Sequence, residues 1–183
     1  VTFTVADNGK IYGESDPTFS GASMSGQVEG ELGDVDLSVV RSNDDENVGT
    51  YRDVLNITKT EGDLESTYTN YDFIINPGDF VISKDEAGNI EKSVTITSWT
   101  YDGQAAGSEN HAVTSSATSE NDGAKAEYTY YVKNGEEWNA LDEAPVNVGS
   151  YKVVANWAET TNYPALSAEC EFTISKRPVT ITV

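Results

Sequence analysis

The chain states one pattern twice and then begins it a third time. Asn47-Val48-Gly49-Thr50-Tyr51 returns as Asn147-Val148-Gly149-Ser150-Tyr151, Asn70-Tyr71 as Asn162-Tyr163, and Phe80-Val81-Ile82-Ser83-Lys84 as Phe172-Thr173-Ile174-Ser175-Lys176. The opening Val1-Thr2-Phe3-Thr4-Val5 is answered by Val94-Thr95-Ile96-Thr97-Ser98 and again by Val179-Thr180-Ile181-Thr182-Val183. Self-similarity at a fixed long period is the mark of tandem modules. The offset of 92 positions between Phe80 and Phe172 predicts two of them, at 1–84 and 94–176. Residues 177–183 then read as the start of a truncated next repeat or as a strand extension. The connectors, Asp85-Glu86-Ala87-Gly88-Asn89 and Arg177-Pro178, are short and polar, so successive modules are expected to abut as a semi-rigid rod.

Alternation of period two dominates, as in Val1-Thr2-Phe3-Thr4-Val5 and Glu171-Phe172-Thr173-Ile174-Ser175, and no stretch sustains helical spacing over three turns. Asn76-Pro77-Gly78-Asp79, Asn121-Asp122-Gly123 and Asn134-Gly135 supply turns. The predicted fold class is all-β: two tandem Ig-like antiparallel β-sandwich modules. In such sandwiches a Tyr at the start of the penultimate strand turns its hydroxyl onto upstream backbone, and the residues before it make the corner. Tyr51 and Tyr151, each in Asn-x-Gly-x-Tyr, are the structural corner candidates.

Charge narrows the partners. Eleven basic against 31 acidic residues leave a net charge of −20, which makes phosphate backbones and anionic lipid heads unfavourable ligands. No nucleic acid partner and no membrane insertion are expected of this stretch, which has no apolar run long enough to span a bilayer. The single cysteine, Cys170, cannot form an intrachain disulfide and reads as a small buried side chain in the last strand. The single histidine, His111, lies in a polar stretch and gives it no basic partner.

Acidic clusters such as Asp44-Asp45-Glu46 invite a calcium reading, but none alternates acids around a bend glycine as a dedicated loop does. They read as solvated loops, and no metal or other cofactor is implied. No nucleophile elbow, metal-type His or Cys spacing, or phosphate-cradling loop is present, so the chain is not expected to be an enzyme. An intramolecular Lys-Asn bond would require a buried lysine, and Lys84 and Lys176 at strand ends are the nearest candidates. Sugar binding would use an exposed aromatic face beside polar groups. Trp138, in Gly135-Glu136-Glu137-Trp138-Asn139 after a turn, is the one candidate ligand-binding residue, whereas Trp99 and Trp157 lie in alternating strands and read as core.

Lys10-Ile11-Tyr12-Gly13-Glu14-Ser15-Asp16-Pro17, Ser25-Gly26-Gln27-Val28-Glu29-Gly30-Glu31, Asn47 to Tyr51, Asn70-Tyr71-Asp72-Phe73 and Gly78-Asp79-Phe80-Val81-Ile82 follow one another in an order that resembles the YGX-type MBG repeat of bacterial surface proteins. The second module, with Trp99-Thr100-Tyr101-Asp102-Gly103 and Asn162-Tyr163-Pro164-Ala165, is similar to the related bacterial Ig-like (YDG-like) variant. The resemblance implies non-catalytic repeats of an extracellular protein, secreted or on the bacterial cell surface, forming the stalk of an adhesin. The partners it implies are adjacent repeats of the same protein and host glycans or mucin. Alternatives are a glycan- or mucin-binding module using an aromatic loop, or an accessory domain of a secreted polysaccharide-acting enzyme.

Overall fold

The alternating residues are realised as β-structure in a computed structural model that describes residues 1–182. The expected terminal segment 177–183 therefore ends outside the described residues; 177–182 carry no strand, and Val179 and Ile181 are each 82% exposed. The chain divides into two compact units, Val1–Lys84 and Asp85–Val183.

In the first unit seven strands form two sheets. They are β1 (Thr2–Thr4), β2 (Asn8–Ile11), β3 (Ser23–Ser25), β4 (Val39–Arg41), β5 (Gly49–Ile57), β6 (Ile74–Asn76) and β7 (Gly78–Ser83). One sheet has the order β3-β1-β6 and the other β2-β7-β5-β4. Both feed a single core: Phe3 of β1, Leu55 and Ile57 of β5, and Phe80 and Ile82 of β7 are all at most 5% exposed. Burying such side chains contributes about 1.5–3 kcal/mol each.

Two local features break the expected regularity of this unit. A short helix, α1 (Glu61–Thr67), interrupts the strands. Its cause is a capping box: the Thr60 hydroxyl accepts from the Asp63 amide, and the Asp63 carboxylate accepts from the Thr60 amide. Leu64 anchors it in the core. Seven residues are too few for helical periodicity to show in the sequence. The second feature is a bulge in β5, where Tyr51 pairs with Phe80 but Leu55 pairs with Gly78. Asp53 takes the slack at φ 55, a conformation Asp tolerates better than most residues, and its amide donates to the Asp79 carboxylate at 2.9 Å.

The second unit contains β8 (Lys92–Thr95), β9 (Trp99–Thr100), β10 (Thr114–Ala117), β11 (Ala126–Asn134), β12 (Glu137–Leu141), β13 (Gly149–Trp157) and β14 (Leu166–Ser175). The strands β8 and β10 pair alone, while the larger sheet runs β12-β11-β13-β14-β9. The odd-numbered residues of β13 from Tyr151 to Trp157 are buried, and they pack with Leu166, Phe172 and Ile174 of β14 and Val94 of β8. Ile90, in the stretch read from sequence as lying between modules, is buried in this core.

The Asn-x-Gly-x-Tyr repeat has the same geometry in both units. The Tyr51 hydroxyl donates to the Asn47 carbonyl at 2.7 Å, and the Tyr151 hydroxyl to that of Asn147 at 2.9 Å. The glycine lies beneath the ring. A side chain added at Gly149 would sit 2.9 Å from the Tyr151 ring, and one at Gly49 would sit 3.6 Å from that of Tyr51.

An ion network closes the first unit near its corner. Lys10 and Arg41, each with a side chain only 4% exposed, share Asp16 and Glu46. The Arg41 guanidinium also lies 4.6 Å from the centre of the buried Phe80 ring. Burial pushes the Asp16 carboxyl up, but hydrogen bonds from Lys10 and Arg41 outweigh it and leave the group below its ordinary value of 3.8. The hydrogen bond from Lys10 lowers Glu46 below its ordinary 4.5. Burial opposes the charge of Lys10, yet Asp16 and Glu46 together raise it above 10.5.

Two predictions follow the corner and the network. Gly149→Ala is expected to cost about 1–3 kcal/mol by overpacking against Tyr151, while Gly49→Ala costs clearly less; urea unfolding of the two variants measures the difference. Asp16→Asn is expected to lower stability at pH 7, because it leaves two sequestered cations with one carboxylate. Since the folded Asp16 and Glu46 values are depressed, their contribution is present above the ordinary carboxylate range and lost as pH falls through the folded values. The gap between the native chain and Asp16→Asn should therefore shrink below about pH 3.5. A gap unchanged at pH 2.5 would remove the network from the stability of this unit.

Candidate functional site

Trp138 lies in a strand. Asn134 pairs with Glu137, so only Gly135 and Glu136 form the turn, and the polar run read from sequence as a loop becomes the second arm of a hairpin. The pairing also decides which way Trp138 points. Tyr130 and Val132 of β11 face the core, so Tyr131 and Lys133 face outward, and Trp138 opposite Lys133 shares their face. Tyr131 in turn opposes Lys152 of β13, whose neighbours Tyr151 and Val153 are core residues.

These residues form an outward aromatic and cationic cluster. The Lys133 and Lys152 ammonium groups lie 5.4 and 5.1 Å from the centre of the Trp138 ring, and Lys152 lies 5.5 Å from that of Tyr131. Lys152 also pairs with Glu169 of β14 at 2.9 Å, whereas Lys133 makes no ion pair among the described residues. Each cation over a ring at such a surface contributes about 0.5–1 kcal/mol. With 11 basic residues against 31 acidic in the chain, two lysines at one indole are a local gathering of cations, one of them paired with Glu169. The arrangement is an outward aromatic pair with two ammonium donors over the indole.

A second cluster has no signature in the spacing of the sequence. His111 stacks on Trp99, with ring centres 4.0 Å apart and an interplanar angle of 11°, and its Nε2 lies 2.9 Å from the Asp102 carboxylate. Trp99 stacks in turn on Phe172, which stacks on Tyr151. The amide of Gln104 and the His111 ring together hold the Asp102 carboxyl below its ordinary value. The indole nitrogen of Trp99 is buried without a partner. Trp157 is buried and donates to Glu120 at 2.8 Å. Neither tryptophan reaches the surface occupied by Trp138.

The remaining candidates are dispersed. The Asp45 carboxylate accepts from Asn43 and its carbonyl from Arg41. Among the described residues no group of three or more His, Cys, Asp or Glu side chains converges as metal ligands. Cys170 is half-buried against the second core. Lys176 is exposed; the lysine set among carboxylates is Lys10, and Arg41 on both oxygens of Asp16 favours an ionic pair there over an amide. No helix is long and apolar enough to cross a membrane.

No curated protein and no solved structure matches the chain. The family model of the MBG domain (YGX type) matches residues 1–81, which take in both sheets of the first unit almost to the end of β7. The second unit lies outside that match. Over residues 1–81 the chain is thus similar to the MBG domain of the YGX type, which points to a surface-protein repeat module.

Proposed function

We propose that the two units are non-catalytic stalk modules of an extracellular bacterial protein, secreted or held at the cell surface, that present an adhesive domain away from it. The observation that carries this reading is where the internal repeat falls. Its residues are scaffold: Asn47 and Asn147 accept from Tyr51 and Tyr151, Gly49 and Gly149 lie beneath those rings, and Phe80 and Phe172 occupy the cores. On this reading Tyr51 and Tyr151 are structural corners of immunoglobulin-like sandwiches, and the immediate partners are further repeats of the same protein. The likeness of residues 1–81 to a family whose domains are generally non-catalytic supports it.

A second reading has its own observation. Trp138 and Tyr131 face outward on one sheet, with Lys152 over both rings and Lys133 over Trp138, which suits a host glycan or mucin. Retention of the intact chain on immobilised mucin, beside the Trp138→Ala variant, separates the two. The stalk reading expects both proteins to wash through alike. Retention of the native chain that falls at least tenfold in Trp138→Ala would replace it with the binding reading.

A further inference from the structure

In each unit a strand near its start runs parallel to the strand that closes it, and this determines how a unit meets a pull on its ends. In the first unit β1 pairs with β6 and β2 with β7, both parallel. The two pairings share one register, each residue facing the one 72 positions further on: Thr2 with Ile74 through Thr4 with Asn76, then Asn8 with Phe80 through Ile11 with Ser83. Hydrogen bonds continue through and beyond the change of sheet. The Ile74 amide donates to Val1 (2.9 Å), Val5 to Asn76 (3.0 Å) and Tyr12 to Ser83 (2.8 Å). The Asp79 amide donates to the Asp7 carboxylate at 2.8 Å. One ladder thus runs the length of the unit.

The backbones are drawn close along it. A side chain at Gly9 would lie 2.3 Å from the Val81 carbonyl oxygen, and one at Gly78 would lie 2.7 Å from that of Ala6. The second unit has the same arrangement on a smaller scale. There β9 pairs with β14 in parallel through Trp99 with Ile174 and Thr100 with Ser175, flanked by Thr173 donating to Ser98 Oγ and Tyr101 to Ser175. Tyr12 and Tyr101 hold equivalent places: each closes the ladder by donating to the serine that ends the last strand, just before a glycine turn at φ 86 (Gly13) or 83 (Gly103).

We infer that this ladder is a load-bearing clamp, and that the first unit withstands end-to-end tension better than the second. Parallel strands put the N-terminal end of one at the opposite end of the ladder from the C-terminal end of the other. A pull on Val1 and Lys84 therefore slides the strands along each other and loads every rung together. A pull on two points at the same end opens the rungs one after another, and each breaks under the full force alone. The first unit has seven registered pairs and the second has two. Resistance to forced unfolding follows the unfolding barrier, which the direction of pulling changes while the folded state and its stability do not. The clamp goes beyond the stalk reading and stands without it, since it belongs to the topology of each unit.

Single-molecule pulling on the full chain tests it, with Cys170→Ala as background so that one introduced thiol is unique. In one arm the handles sit at the two chain ends; in the other the N-terminal handle moves to Ser15→Cys, in the exposed turn beyond the ladder. The first unit releases about 30 nm in the first arm and about 25 nm in the second, which identifies its event. Its rupture force is expected to fall at least twofold in the second arm, while the event of the second unit is unchanged and is the weaker one in the first arm. Equal forces for the first unit in both arms, or a first unit that yields before the second when pulled by the ends, would overturn the clamp. Glu14→Cys serves as an alternative attachment in the same turn, and circular dichroism of each variant confirms that it is folded before pulling.

Discussion

The closing strand of each unit, β7 or β14, is hydrogen-bonded on one side to the strand that follows the corner and on the other to the second strand of the unit, β2 or β9. The sheet is therefore incomplete until the C-terminal residues of the unit arrive. Phe80 and Phe172, which these strands carry, stand at the centres of the two cores and pair in register with the corner tyrosines. Loop closure over most of a unit must precede the burial that rewards it, so folding is dominated by non-local contacts, a topology associated with slow folding. Locally driven structure is limited to tight hairpins and the capped turn of α1.

The all-β character was legible because alternation shows in strands such as β13 and β14, and the YGX-type resemblance because its short motifs come in order. What stayed hidden was decided by distance in space. Trp138 follows four polar residues, Asn134 to Glu137, and reads as part of a loop; a turn of only two residues places it on a strand. The stack of His111 on Trp99 joins residues twelve apart through a short 3-10 turn, with no periodicity to reveal it. The helix was shorter than its own pattern, and the sole trace of it, Thr60-Glu61-Gly62-Asp63, reads equally well as one more acidic cluster. The network of Lys10, Asp16, Arg41 and Glu46 draws on two separate stretches of the first unit, 10–16 and 41–46, and its charges were indistinguishable from those of a solvated surface.

Charge in this protein is placed unevenly between structure and solvent. Lys10 and Arg41 are sequestered in the first unit, while Lys152 and Lys133 lie against aromatic rings in the second. Few cations remain to offset 31 acids, so the outer surface is strongly anionic. Such a surface repels copies of itself and anionic surroundings and favours solubility. Four of the eleven basic residues, Lys10, Arg41, Lys133 and Lys152, are thus occupied in contacts within the fold.

The bulge at Asp53 bears on a hazard particular to chains that repeat themselves. Neighbouring modules with similar strands misassemble by exchanging them during folding. From Tyr51 to Leu55 the corner strand of the first unit advances four residues while its partner β7 retreats two, whereas β13 and β14 keep step throughout. The closing strand of the second unit, held in the step it keeps against β13, would match at the tyrosine and stand two residues out of place beyond it, on the same face but against different neighbours. Two modules can therefore share the motifs that define their fold and still differ in strand register, which sets native pairing apart from exchange between near-copies in one chain.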